Sequence, residues 1–427
     1  MNIEEQEQIH WKYYIPLYLI FISLLIVATR DFNQAQQSAV GLSNIHKILS
    51  IPLIIVMVLY YFLKKMTMIK LPIQIVMYIL FIVIAFIGSL FSSNWIGYSL
   101  FKILEIMAVI LTIIYFWDLS YQYPFVIKKI YNYTIKYYKI LIISSIVGAV
   151  LYPNIAIRPP SMFQDAYLPF QLFGSIVSIN ANSLGMLGAI IFFISFISMF
   201  KSKNKLAFFW LLISLTIVIF AQSRTSVIGL LLVISIFLLI NANSGIIKKI
   251  IIVIFGIALF LLSLDGLTAY LERGYSIKHM EKLSGRSQWW EYAWNYFNNS
   301  DIFYQVFGGG FGTASREILT KMGHPDASTL HSDYMDSLVS TGYIGSLFLL
   351  LMNLSVIYML IKNFNSIKKD YFLIELSGVL ILLLIRSFTG PTLVTHNFFL
   401  IMYFILIINF IYYLGLNSKC RSLSNDI

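Results

Sequence analysis

The chain has 427 residues, 59% of them hydrophobic and only 11% charged, with a formal net charge of +11. A soluble domain carries about a quarter charged residues, so this balance excludes an ordinary soluble protein and points to a polytopic membrane protein. The positive charge does not mark a nucleic-acid partner, because most basic residues sit in short loops between apolar runs, and the single cysteine, Cys420, excludes disulfides within the chain and cysteine metal sites.

Taken in order, the first twelve residues carry Glu4, Glu5 and Glu7 with one lysine, unlike the basic leader of a cleaved signal peptide. Twelve apolar spans follow, at about 13–28, 45–63, 71–91, 99–117, 137–151, 183–200, 206–221, 226–240, 247–264, 335–361, 372–385 and 395–413. The expected fold class is therefore an all-α polytopic membrane protein of about twelve transmembrane helices, one integral membrane domain over residues 1–427. Lysines cluster after every second span: Lys64, Lys65 and Lys70; Lys128, Lys129, Lys136 and Lys139; Lys201, Lys203 and Lys205; Lys248 and Lys249; Lys362, Lys368 and Lys369; Lys419 with Arg421. Short cytoplasmic loops are enriched in Lys and Arg, so both termini are expected on the cytoplasmic side and the alternate loops outside.

Two outward loops are long, 152–182 and 265–334. The second is expected to be a large external catalytic loop between spans nine and ten. Arg158 and Asn182 belong to the first. Arg224 lies in the very short turn before span eight, at or just below the outer surface. A charge near lipid is costly, so such a residue is a candidate functional group. Arg286 opens a segment in which Trp289, Trp290, Ala293, Trp294 and Phe297 recur at helical spacing, an amphipathic pattern suited to anchoring the loop at the interface. Gly308-Gly309-Gly310-Phe311-Gly312 reads as a flexible turn rather than a nucleotide loop. Ser328 or Ser332 is expected to cap a helix entering span ten, which would set His331 on one stripe with Met335, Leu338, Gly342 and Gly345. The two glycines would let another helix approach closely. His324-Pro325-Asp326 with His331-Ser332-Asp333 matches no common metal spacing. Lys102 and Glu105 form an i,i+3 pair and read as structural, while Arg386, at the outer end of span eleven, is a third candidate cation. Lys128 to Tyr138 reads either as a segment on the inner leaflet or as an extension of span five.

These residues resemble a known family. His331-Ser332, nine residues, Gly342, two residues and Gly345 is similar to the signature of O-antigen ligases and O-antigen polymerases. Ser223-Arg224-Thr225 at the head of a span, Gly285-Arg286 with Trp290, Arg158 and Asn182-Ser183-Leu184-Gly185 extend the likeness over most of 152–345. The resemblance implies glycosyl transfer from an undecaprenyl-diphosphate-linked oligosaccharide, without metal or cofactor, on the outer face of the cytoplasmic (inner) membrane of a bacterium. The implied roles are general base for His331, with Asp333 and Asp336 as alternatives or orienting partners, and leaving-group stabilisation for Arg224 and Arg286. Arg158, Asn182, Asp333 and Arg386 are candidates for substrate binding. A flippase and a chain-length regulator would be partners in the same pathway. Polymerase is preferred over ligase on the extreme apolar composition and the Ile-, Asn-, Lys-rich usage of an AT-rich genome. A lipid-linked glycan transporter is the reading from another class. It would need polar residues through the bundle, whereas here they collect at the outer surface.

Overall fold

A computed structural model describes residues 11–25, 45–65, 70–158, 170–202, 205–241, 286–325 and 327–425. Glu4, Glu5, Glu7, Pro159, Pro160, the predicted ninth span at 247–264, residues 265–285 of the long loop and Asp326 lie outside them. The described chain is almost wholly helical: α1 (Ile15–Leu24), α2 (Ile45–Lys65), α3 (Ile73–Ser92), α4 (Ile96–Gln122), α5 (Val126–Leu151), α6 (Ala181–Ser202), α7 (Lys205–Ala221), α8 (Arg224–Asn241), α9 (Arg286–Asn298), α10 (Ile302–Phe307), α11 (Ala314–Lys321), α12 (Asp333–Lys362), α13 (Tyr371–Thr389) and α14 (Phe398–Asn425). The exception is one short antiparallel pair, Ile157–Arg158 against Gln171–Leu172, in the first long loop.

Eight of these helices are long and apolar enough to cross a membrane: α2, α3, α4, α5, α6, α12, α13 and α14. Helices α7 and α8 are shorter and apolar. Helix α5 runs unbroken from Val126, so the lysine-tyrosine segment extends span five instead of forming a separate surface helix.

The bundle closes around α14. Every residue from Phe399 to Phe410 is buried, including the polar Asn409. A helix buried on all sides reads as uniformly apolar, with no one-sided stripe. Tyr403 donates to Asn353 Oδ1 on α12 at 2.7 Å, and Asn353 donates to Tyr334 Oη at 3.0 Å. These bonds satisfy the hydroxyl of Tyr403 and the amide of Asn353 within this core.

A second, smaller core belongs to the segment that precedes α12. It joins Ala293 and Phe297 of α9 to Ala314, Ile318 and Leu319 of α11, with Leu330 and Val339. The tryptophan-bearing helix therefore buries its Ala293–Phe297 face against the loop's own elements, with Trp289 and Trp290 packed beside it. It folds the layer onto α12 rather than serving only as an interfacial anchor.

Four local expectations are corrected. His331 is not on the helical stripe, because its backbone has φ +58 and α12 begins only at Asp333. Ser332 stands at the N-cap position, but its side chain makes no capping bond. Gly342 interrupts α12 with φ +65 and ψ −168, at the point where the backbone of Val306 and Phe307 presses against it. Only glycine takes this conformation without strain. The close approach inferred from the paired glycines is thus made at Gly342 by the end of α10. The Gly308–Gly312 run is a packed turn, not a flexible one. Gly309 N donates to Val339 O at 2.9 Å and Phe311 N to Ser89 Oγ at 2.9 Å.

Candidate active site

The α13–α14 connection, residues 390–397, is the first wall of the site. Gly390-Pro391 ends α13, and Asn397 caps α14 by accepting from Phe399 N at 2.8 Å and Leu400 N at 3.0 Å. The loop between would bury unpaired backbone amides, and one carboxylate satisfies them. Asp333, fully buried, accepts from Thr392 N at 2.9 Å, Leu393 N at 3.0 Å and Val394 N at 3.2 Å. The hydroxyl of Tyr78 donates to Leu393 O, and that of Tyr138 to Phe398 O at 2.7 Å.

The second wall is the turn before α12. Leu330 is held at both ends: its N–H donates to Asp336 Oδ1 at 2.8 Å, and its carbonyl accepts from Trp290 Nε1 at 2.8 Å. Ser315 Oγ donates to the same Asp336 oxygen at 2.6 Å. His331 is thereby fixed in its left-handed conformation, its ring stacked on Trp289 with centroids 5.9 Å apart. Burial, and then the charges of Arg286 and Arg386, pull the His331 pKa down to about 3. The ring is neutral near pH 7 and can accept a proton.

The arginines converge on Thr389. Arg286, first residue of α9, donates to the Thr389 carbonyl at 2.7 Å. Thr225, next to Arg224 at the start of α8, pairs its hydroxyl with that of Thr389 at 2.8 Å. Arg224 is set there by a two-residue turn in which buried Gln222 has φ +50 and donates to Phe170 O at 2.7 Å. Burial and the charge of Arg224 lower the Arg286 pKa. Arg386, one turn before Thr389, is buried. It donates to Ser183 Oγ at 3.0 Å and lies 4.1 Å from the Phe399 ring centroid.

These walls enclose a cavity of about 590 Å³. His331, Arg386 and Asn182 line it. Arg286 and Arg224 do not line it: Arg286 bonds the carbonyl of Thr389, a lining residue, and Arg224 adjoins Thr225, whose hydroxyl pairs with that of Thr389. Asp333 does not line it, and its carboxylate holds the 390–397 loop. Arg158 stays in the short β pair, its guanidinium 5.0 Å from the Phe173 ring centroid and its Nε donating to Ile155 O at 3.2 Å. The structure thus gathers Arg224, Arg286, Arg386, His331 and Asn182, and leaves Arg158 apart. Among the described residues no group of three His, Cys, Asp or Glu stands together in a metal-binding arrangement.

Sequence reasoning missed part of the lining. Lys102 and Glu105, read as structural, line the cavity, as do Asp336, Thr389 and His396. A signal was present at 389–397. Thr389-Gly390-Pro391-Thr392 and Thr395-His396-Asn397 break the apolar sequence between spans eleven and twelve.

The fold and site define a multi-pass membrane protein with a cation-flanked, histidine-bearing cavity at one end of the bundle. Residues 206–350 match the family model described as "Wzy_C: O-Antigen ligase", which supports the O-antigen ligase and polymerase superfamily. The match spans Arg224, Arg286, His331, Gly342 and Gly345. No curated protein matches the chain.

Proposed function

We propose that this protein is a membrane glycosyltransferase that polymerises undecaprenyl-diphosphate-linked oligosaccharide repeat units, for O-antigen, capsule or a related surface polysaccharide. It works on the outer face of the cytoplasmic membrane with both termini inside. The observation that carries the reading is the placement of neutral His331 between Arg286 and Arg386 beside the cavity. The acceptor hydroxyl oxygen attacks the anomeric carbon, and its proton passes to His331. The carbon–oxygen bond to the diphosphate breaks, and undecaprenyl diphosphate leaves with the electron pair. Preorganised arginines stabilise that developing charge, bidentately where their geometry allows.

A pKa of about 3 makes the resting imidazole a weak base. An anionic diphosphate set among the arginines offsets their charge and raises the proton affinity of the ring. The base is thus strengthened by the substrate it serves.

The description of the matched family supports a second reading, a ligase that hands the glycan to lipid A core. The test is detergent-purified protein incubated with lipid-linked glycan, with and without lipid A core. A ladder of longer lipid-linked products without core supports the polymerase. Product only with core supports the ligase, and none in either case rejects both. For topology, reporter fusions at Ala314 and Ser366 should report opposite sides of the membrane, and same-side signals would break the proposed orientation.

A further inference from the structure

The cavity has a wall that the arginine and histidine chemistry does not use. His396 lies in the α13–α14 connection and lines the cavity together with Lys102 and Glu105 of α4. Its Nε2 stands 3.2 Å from Ser23 Oγ on α1. The Ser23 hydroxyl proton is already given to Ile20 O at 2.7 Å. Ser23 therefore accepts, Nε2 carries the proton, and Nδ1 of the neutral ring is a bare acceptor. Burial, against the opposing pull of Glu105 and with a lesser push from Lys47 and Lys102, lowers the His396 pKa to about 3 and keeps it neutral.

His396 Nδ1 has no hydrogen-bond partner among the described residues, and neither have Glu105 Oε1 and Asp336 Oδ2. Lys102 Nζ donates to Glu105 Oε2 at 2.9 Å, while Lys47 Nζ stands 3.7 Å from Oε1. Two residues lining the cavity, His396 and Asp336, thus each hold an unmatched buried acceptor, and a third, Glu105, holds one met only by the longer ion pair with Lys47. Buried polar groups are costly unless bonded, so this wall calls for donors. A phosphate offers acceptors and is repelled by both carboxylates. A sugar ring offers several hydroxyl donors.

We propose that His396, with Glu105 and Asp336, forms a sugar-binding subsite that accepts hydroxyl hydrogen bonds from a ring of the glycan, distinct from the arginine-flanked diphosphate position. The inference rests on the glycan-transfer reading. His396 is a positioning and specificity residue, and the proton of the reaction goes to His331.

The probe is lipid-linked glycan extracted from cells in which the gene for this chain is deleted. Its retention by detergent-purified protein is measured in a His331→Ala background, where transfer is blocked. There His396→Phe should weaken retention at least tenfold. His396→Asn, which keeps an acceptor at similar reach, should recover most of it. In the active protein His396→Phe should raise KM at least tenfold and lower kcat less than threefold. Should the Phe variant lose its thermal transition, His396→Leu takes its place with the same expectations. Unchanged retention and KM in a folded variant overturns the subsite, and so does a fall in kcat alone. A wild-type protein that retains no glycan overturns it as well. If the wild type retains glycan but never transfers it, the transferase reading falls, and the retention ratio still decides the subsite.

Discussion

The two walls of the cavity are held in different ways. The 390–397 connection is fixed from inside the bundle, by a buried carboxylate on three amides and by two buried tyrosines. The 327–331 turn is pinned by Asp336 of α12 but otherwise fixed from outside, by Trp290 and by a small core of seven buried residues. The first wall carries His396 and follows Arg386 of α13, and the second carries His331 and adjoins Arg286. The difference teaches that one half of the site shares the stability of the whole bundle, while the other depends on a layer with little apolar mass of its own. Damage to the outer layer should silence the enzyme and spare the fold, and damage to the inner wall should threaten both.

The sharpest way to break this comparison is at the reacting groups. His331→Ala should lower turnover of lipid-linked glycan by about 100- to 10,000-fold, the usual contribution of a general base. Arg286→Ala and Arg224→Ala should each cost about 100- to 1,000-fold, with only partial rescue by lysine, which lacks the planar fork. Thermal transitions in detergent should stay near wild type for all three. A large fall in the transition temperature, or full activity in either arginine variant, would contradict the division of labour.

Stability separates the walls next. Asp333→Ala strands three buried amides and should destabilise the bundle by about 3–5 kcal/mol, the cost of removing one partner of a buried charged network. Phe297→Ala should cost a similar amount, about 3–5 kcal/mol, within the outer layer. Only Asp333→Ala should lower the main unfolding transition, whereas both should abolish transfer. Equal shifts of that transition would show one cooperative unit and erase the comparison.

The pH profile tests the electrostatics of the outer wall on a smaller scale. The His331 pKa is lowered, so its proton-accepting form fills the range above about pH 3 and is lost as pH falls through that value. The acid limb of kcat/KM should therefore lie near pH 3, and that of kcat at higher pH, where bound diphosphate offsets the arginines. Arg286→Gln should move the kcat/KM limb upward, and His331→Gln should remove it. The smallest effect is expected at Trp289. Trp289→Phe keeps a ring against His331 and should reduce turnover less than tenfold, Trp289→Ala somewhat more, with no change in the limb.

Much of the bundle was legible because lipid-spanning helices announce themselves by apolar runs and flanking lysines. The arginines were legible because a charge beside such runs is rare. The conformation of His331 was not, since a left-handed histidine leaves no mark on helical periodicity and the stripe through Gly342 looked continuous. Asp333 looked like a substrate ligand because its partners are backbone amides some sixty residues away, which no side-chain pattern records. Glu105 paired convincingly with Lys102 on its own helix, and that local match hid the cavity it faces. His396 was passed over because it lies at the head of a run dominated by Phe, Leu and Ile, where hydropathy speaks louder than one imidazole.

The bond between Asp333 and the amides of 392–394 also sets a clock on biogenesis. Ribosomal synthesis delivers Arg224, Arg286 and His331 well before Thr392, and the chain that closes the second wall arrives with the last helix. A nascent protein halted before α14 has inserted would present its arginines and histidine around an open, wet groove. Under the proposed function, transfer would begin only when the final membrane segment is in place, and lipid-linked precursors would be protected from half-made copies of the protein.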